Sequence, residues 1–336
     1  MAGVAAAAGD DEDMVGEYRV RLDPWEPDYE GAIQLGGDED QPADVDLQVE
    51  LGSWVAVVPS PVPPTPKIFF VDGVRRIEHR ILVEAEDRTL FGLLGSFAVG
   101  ATRVSSRAEI VGEEVRRITS VGGGFELTGW GFRLPTGSAT LSFDALVVAE
   151  NTPEAPLQGL QNSMREREAA LAESLSADDS LVFLDGPLTF FTATKLPVVG
   201  FVKRLLRSYL PPEKALLLRS LQVGQRTPLL LIKETRHQRY SWYTRIGSGR
   251  VIDSTLTGIA RLETSSSLDF ELVRRLADLS TAVLPRFASS PAHDPRAPQN
   301  LYPIGGLENA LRHRLGDTLV IRRAIEAHLL GLERTS

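Results

Sequence analysis

Residues 18–27 (YRVRLDPWEP) alternate apolar and charged positions as a half-buried strand does, and residues 45–58 (VDLQVELGSWVAVV) hold a second alternating run. A proline-rich connector, residues 59–66 (PSPVPPTP), follows. The segment KIFFVDGVRRIEHRILVEAE then sets an uninterrupted apolar run, IFFV, before Asp72-Gly73, and an alternating stretch through Ile77, Ile81 and Val83 after it. That pattern predicts strand, tight turn, strand. Further strands are predicted at residues 91–99, with a glycine-rich hairpin at 122–131. Residues 157–175 (LQGLQNSMREREAALAESL) place apolar residues at helical spacing among strong helix formers, the clearest helix of the chain. SLVFLDGPL follows, another buried-type strand ending in Asp-Gly at Asp185. Beyond it the pattern predicts helices at 199–210 and 213–221, strands at 228–234, 239–246 and 258–263, and a helix at 268–284. A polar loop at 289–300 and helices at 307–315 and 319–332 close the chain.

Composition narrows what this framework can do. The 336 residues contain no cysteine, which removes disulfides, thiolate metal sites and thiol catalysis, so any metal must sit on oxygen or imidazole. No apolar run approaches the length of a bilayer-spanning helix and the N-terminus lacks a secretory pattern, so a soluble, cytoplasmic protein without membrane contact is expected. The net charge of −9 is unevenly spread: residues 1–50 carry 15 acidic and 2 basic residues, leaving 30 acidic and 34 basic beyond them. The body is slightly basic, and a basic groove for nucleic acid is allowed. Residues 1–16 read as a disordered acidic tail, 17–58 as an N-terminal β segment, and 67–336 as the main domain. Arginine outnumbers lysine 31 to 5, which suits phosphate recognition but is equally the product of GC-rich coding. The triple glycine at 122–124 is not a phosphate loop, because no Lys-Ser/Thr and no helix start follow it.

Two apolar strands that each deliver an aspartate before a glycine are a recurrent way to build a site of oxygen ligands. Ligands in open α/β sheets bind at the carboxyl ends of strands, and neighbouring strands would bring Asp72 and Asp185 close enough to repel one another unless a divalent cation lay between them. Carboxylate sites suit Mg²⁺ or Mn²⁺, the ions of metal-assisted phosphodiester cleavage. The competing explanation is that each Asp-Gly simply marks a turn.

FVDGVRRIE around Asp72, LVFLDGPL around Asp185, GFVKR at 200–204, SWYTRI at 241–246 and LYPIGGLENA at 301–310 together resemble, in family order, the NurA nucleases, from about Trp25 to near the C-terminus. The resemblance implies a mixed α/β fold: an RNase H-like core with a mixed central sheet flanked by helices, plus the N-terminal β elements. It implies a Mn²⁺-dependent deoxyribonuclease (Mg²⁺ also possible), a single-strand endonuclease and 5′-3′ exonuclease. It implies a homodimer that resects DNA ends for double-strand break repair beside a HerA-type hexameric ATPase. Carried over by position, Asp72 and Asp185 look like the metal-binding aspartates and a helix glutamate, Glu168 or Glu166, like a third ligand. These two lie two apart on a helix, so only one faces the site. Tyr302 looks like the late active-site tyrosine, and Lys203, Arg204 and Arg245 are candidate phosphate contacts. The sequence departs from the pattern where many relatives carry a late histidine. The aligned positions are Ala310 or Leu311, and His313 lies two or three residues on as a candidate substitute. That departure keeps an alternative open, a catalytically weakened DNA-binding adaptor that stimulates the ATPase; use in anti-phage defence is another.

Overall fold

The computed structural model describes residues 18–22, 44–60, 67–85, 88–125, 130–133, 140–177, 179–188, 196–203, 205, 209–233, 238–250, 253–294 and 296–335. Among them twelve strands form one mixed sheet. Its centre is β3 (Lys67–Ala85), β4 (Arg88–Val104) and β5 (Ala108–Val121), three long strands in antiparallel succession. On one side β5 pairs in parallel with β7 (Thr140–Val147), which pairs with β6 (Trp130–Arg133). On the other side β3 pairs in parallel with β8 (Ser180–Asp185), and β8 in parallel with β9 (Val198–Val202). The sheet continues antiparallel through β12 (Ile259–Ser265), β11 (Arg239–Arg245) and β10 (Leu230–Lys233) to β2 (Asp44–Asp46). β1 (Tyr18–Leu22) pairs with the far end of β3, so both strands of the N-terminal segment join this sheet.

Helices cover both faces. α1 (Ala155–Leu175) packs Ala169 and Ala172 against Phe69, Val71, Val182 and Leu184, while α3 (Phe270–Val283) and α4 (Tyr302–Arg314) cover Phe70, Phe183 and Phe201 from the opposite face. A strand covered on both faces needs apolar residues at every position, which is why IFFV and LVFL read as unbroken runs. α2 (Pro212–Ser220) and α5 (Thr318–Thr335) complete the layers. A bulge between Ile77 and His79 resets the alternation of β3. Ile81 and Val83 thereby face Ile321, Ile325 and Leu329 of α5, on the face that carries α4. No helix among the described residues is long and apolar enough to cross a membrane.

Two expected elements differ in kind, and α4 starts at Tyr302, five residues before the expected 307. No turn occurs at Asp72-Gly73: Asp72 pairs with Gly100 and Gly73 with Val99 inside a continuous ladder, and breaking the strand there would forfeit those pairs. Residues 198–202 form strand β9 instead of the start of a helix, because the run VVGFV is buried between β8 and β12. β-branched residues suit that two-sided burial. The acidic tail, residues 1–16, and Arg204 lie outside the described residues.

Candidate metal centre

The parallel pairing of β3 with β8 ends at Val71 opposite Leu184, so the next residues, Asp72 and Asp185, stand at the point where the two strands part. They part because Gly186 adopts φ +109°, a left-handed conformation that side-chain-bearing residues rarely take, and its N–H donates to the Phe201 carbonyl at 2.9 Å. The turn is pinned one step further on. Buried Glu263 of β12 accepts the Leu188 N–H at 2.7 Å while also accepting from Arg239 at 3.0 Å and from Arg261.

α4 delivers a third carboxylate. Leu307 and Leu311 pack on Val74 and Ala98, the same face of β3 and β4 that Asp72 occupies, and Glu308 is carried between them. One oxygen each from Asp72, Asp185 and Glu308 lies within 4.8 Å of the others. Among the described residues this is the one such group, and no histidine joins it. Glu168 arrives from α1, on the other face of β3, in the space left by the missing side chain of Gly73. A Cβ there would stand 2.5 Å from Glu168 Oε1. Two basic groups thread the acidic ones. Lys203 donates to Asp185 Oδ2 at 2.6 Å and to Asn300 Oδ1 at 3.4 Å. Arg165 donates to Glu168 Oε2 at 3.0 Å and to the Asp185 carbonyl at 2.7 Å.

The electrostatics fit a cation. Burial, then the Asp185 and Glu168 charges, push the Asp72 carboxyl well above the ordinary range, against the pull of Lys203. Burial pushes Glu168 up to about 7 against the pull of Arg165. Burial raises Asp185 too, with Lys203 and Arg165 opposing. Glu168 is fully buried and its Oε1 has no hydrogen-bond partner, a costly state for a carboxylate. An all-oxygen donor set of this density suits a hard divalent ion such as Mg²⁺ or Mn²⁺.

The other sequence candidates are placed differently. Glu166 is exposed and lines a separate hollow with Gln158 and Asn162, so the 200° turn between it and Glu168 resolves in favour of Glu168. His313 is exposed on the last turn of α4, where Leu307 and Leu311 define the inward face and His313 falls outside it. Arg245 spends its guanidinium on four backbone carbonyls, those of Leu218, Leu221, Thr255 and Thr257. That makes it a strut that ties the end of α2 to the loop before β12, with four of its five N–H donors spent. Tyr302 opens α4 with its ring half exposed and its hydroxyl accepting the Ser290 N–H at 3.1 Å. Glu308 is not among the residues the sequence singles out. Its signal was an acidic residue set among the apolar positions 304, 307 and 311 of one helix face.

The NurA domain model matches residues 67–304. The chain belongs to the NurA family. The family places it among the nucleases, phosphodiester hydrolases that bind DNA. Among solved structures it is similar to the crystal structure of the NurA nuclease from Sulfolobus solfataricus, at 10% identity and a TM-score of 0.45, covering 84% of this chain and 88% of that one. No curated protein gives a significant match.

Proposed function

We propose that this NurA-family chain is a divalent-metal-dependent deoxyribonuclease, with Mn²⁺ or Mg²⁺ held by Asp72, Asp185 and Glu308. The observation that supports the reading most is the approach of those three carboxylate oxygens to within 4.8 Å at the parting of β3 and β8. An ion bound there would supply Lewis-acid polarisation of the phosphate. The chain's own groups supply the rest. Lys203, oriented by Asp185 and Asn300, has a third N–H for a non-bridging phosphate oxygen. Glu168, raised to about 7, takes or holds a proton at Oε1 near neutral pH. Tyr302, at the exposed start of α4, orients the strand or the water through its hydroxyl. Glu308 favours the enzyme over the weakened adaptor: a carboxylate stands near where relatives carry the late histidine, so the α4 half of the site keeps a ligand. In this reading the core is RNase H-like and the protein is a cytoplasmic homodimer. It cuts single-stranded DNA and degrades duplex ends from 5′ termini, resecting breaks with a HerA-type ATPase.

The test is a purified-protein assay on 5′-labelled single-stranded and duplex DNA. Cleavage is expected in Mn²⁺ and none in EDTA. Cleavage that persists in EDTA, or none with either ion on any DNA, contradicts it.

A further inference from the structure

Four carboxylates meet at this site, and two unit positive charges are already built into it. Two-metal phosphodiester sites set their ions about 3.5–4 Å apart on a bridging carboxylate. Asp185 is the residue placed to bridge here, because its carboxylate lies beside that of Asp72 and its backbone carbonyl is held by Arg165 from the α1 side. One of its oxygens is taken. Lys203 Nζ sits on Oδ2 at 2.6 Å, at the short end of charge-assisted hydrogen bonds, and Asn300 holds the ammonium in place. Asn300 is itself fixed by accepting Lys203 and donating to Asp294. On the α1 side Arg165 fills the corresponding place, binding Glu168 Oε2 and the Asp185 carbonyl with one nitrogen. Arg312 also reaches Glu308 Oε2 at 2.9 Å, but from solvent, with more than half of its side chain exposed. A pair of that kind contributes little.

Counting the groups inside the site in the ionised forms that a bound cation favours, Asp72, Glu168, Asp185 and Glu308 against Lys203 and Arg165 leave two negative charges, the complement of a single divalent ion. The ligand geometry agrees: one oxygen each of Asp72, Asp185 and Glu308 clusters on the α4 face, whereas on the other face Arg165 holds Glu168 Oε2 and leaves only its buried Oε1 unpartnered. We propose that Lys203, supported by Arg165, takes the place of the second cation, so that the centre binds one divalent ion per chain and not two. The inference rests on the metal-dependent reading above and says which of its two forms this chain has built. In a one-ion site the Lys203 ammonium faces the phosphate from the position a second ion would hold, which fixes the ion's neighbour without requiring a second loading step.

Isothermal titration of the full-length protein with MnCl₂ tests it, the site count being the sites lost in Asp72→Asn so that surface binding is subtracted. The expected count is one for the wild type, one for Lys203→Arg, which keeps the charge, and two for Lys203→Met, which frees Asp185 Oδ2 and leaves a third negative charge. A wild-type count of two, or a Lys203→Met count that stays at one, overturns the inference while the nuclease reading stands. A wild-type count of zero overturns both. Circular dichroism of each variant confirms that the counts come from folded protein.

Discussion

Asp72→Asn loses about 10³-fold or more in DNA cleavage, roughly 4 kcal/mol of transition-state stabilisation, while the metal-free protein becomes harder to melt. The two effects come from one cause. Asp72 is almost fully buried on a continuous strand, within the field of Asp185 and Glu168, and its carboxyl is pushed well above the ordinary range. Without a cation that charge is a liability, and the amide removes it while keeping the shape. Its oxygen can still accept the Gly73 N–H that Asp72 Oδ1 accepts at 2.8 Å. A residue kept only for packing or a turn would lose stability on substitution and carry activity down with it. Opposite movement of melting temperature in EDTA and of cleavage rate in Mn²⁺ is therefore the signature to measure. A variant that cuts at the wild-type rate, or melts lower in EDTA, contradicts the assignment.

The second large effect is the pH dependence of metal stabilisation. Glu168 has a folded pKa raised to about 7 from the usual 4.5, so between those values the folded chain binds a proton that the unfolded chain has released. Stability in EDTA consequently falls as pH rises from about 4.5 to 7, by on the order of 3 kcal/mol from this group, and then levels off. Asp72 shifts in the same direction and adds to the fall. A divalent ion reverses it by preferring the ionised carboxylates. Added Mn²⁺ should raise the melting temperature several degrees at pH 8 and barely at pH 5. Glu168→Gln, neutral at every pH, should flatten the EDTA profile between pH 5 and 7. A profile as steep as the wild type's in that variant would remove Glu168 as the titrating group.

How far the sequence revealed this site depends on which interaction placed each residue. Asp72 and Asp185 were legible because unbroken apolar runs before an aspartate survive in the linear pattern, and two-sided burial of β3 and β8 accounts for those runs. The use of Gly73 was not. Asp-Gly reads locally as a turn, yet here the glycine sits inside a long strand and its missing side chain admits Glu168 from α1. The segment 198–202 departs from the helix expected at 199–210 for a related reason: its apolar run with Lys203 and Arg204 after it reads locally as a basic helix, whereas pairing with β8 and β12 governs the backbone. Choosing between Glu166 and Glu168 needed the helix rotation, which only packing against β3 and β4 sets. Glu308 depended on the start of α4 at Tyr302, five residues before the apolar pattern predicted, which brings Glu308 into the second turn beside Asp72. The exposed position of His313 follows from the same rotation.

A crystal soaked in MnCl₂ and measured at the manganese absorption edge tests the central claim most directly. An anomalous peak is expected between Asp72, Asp185 and Glu308, with ligand distances near the 2.0–2.3 Å of hard divalent ions. No peak there, or a peak held by His313 or Glu166 in place of Glu308, would contradict it.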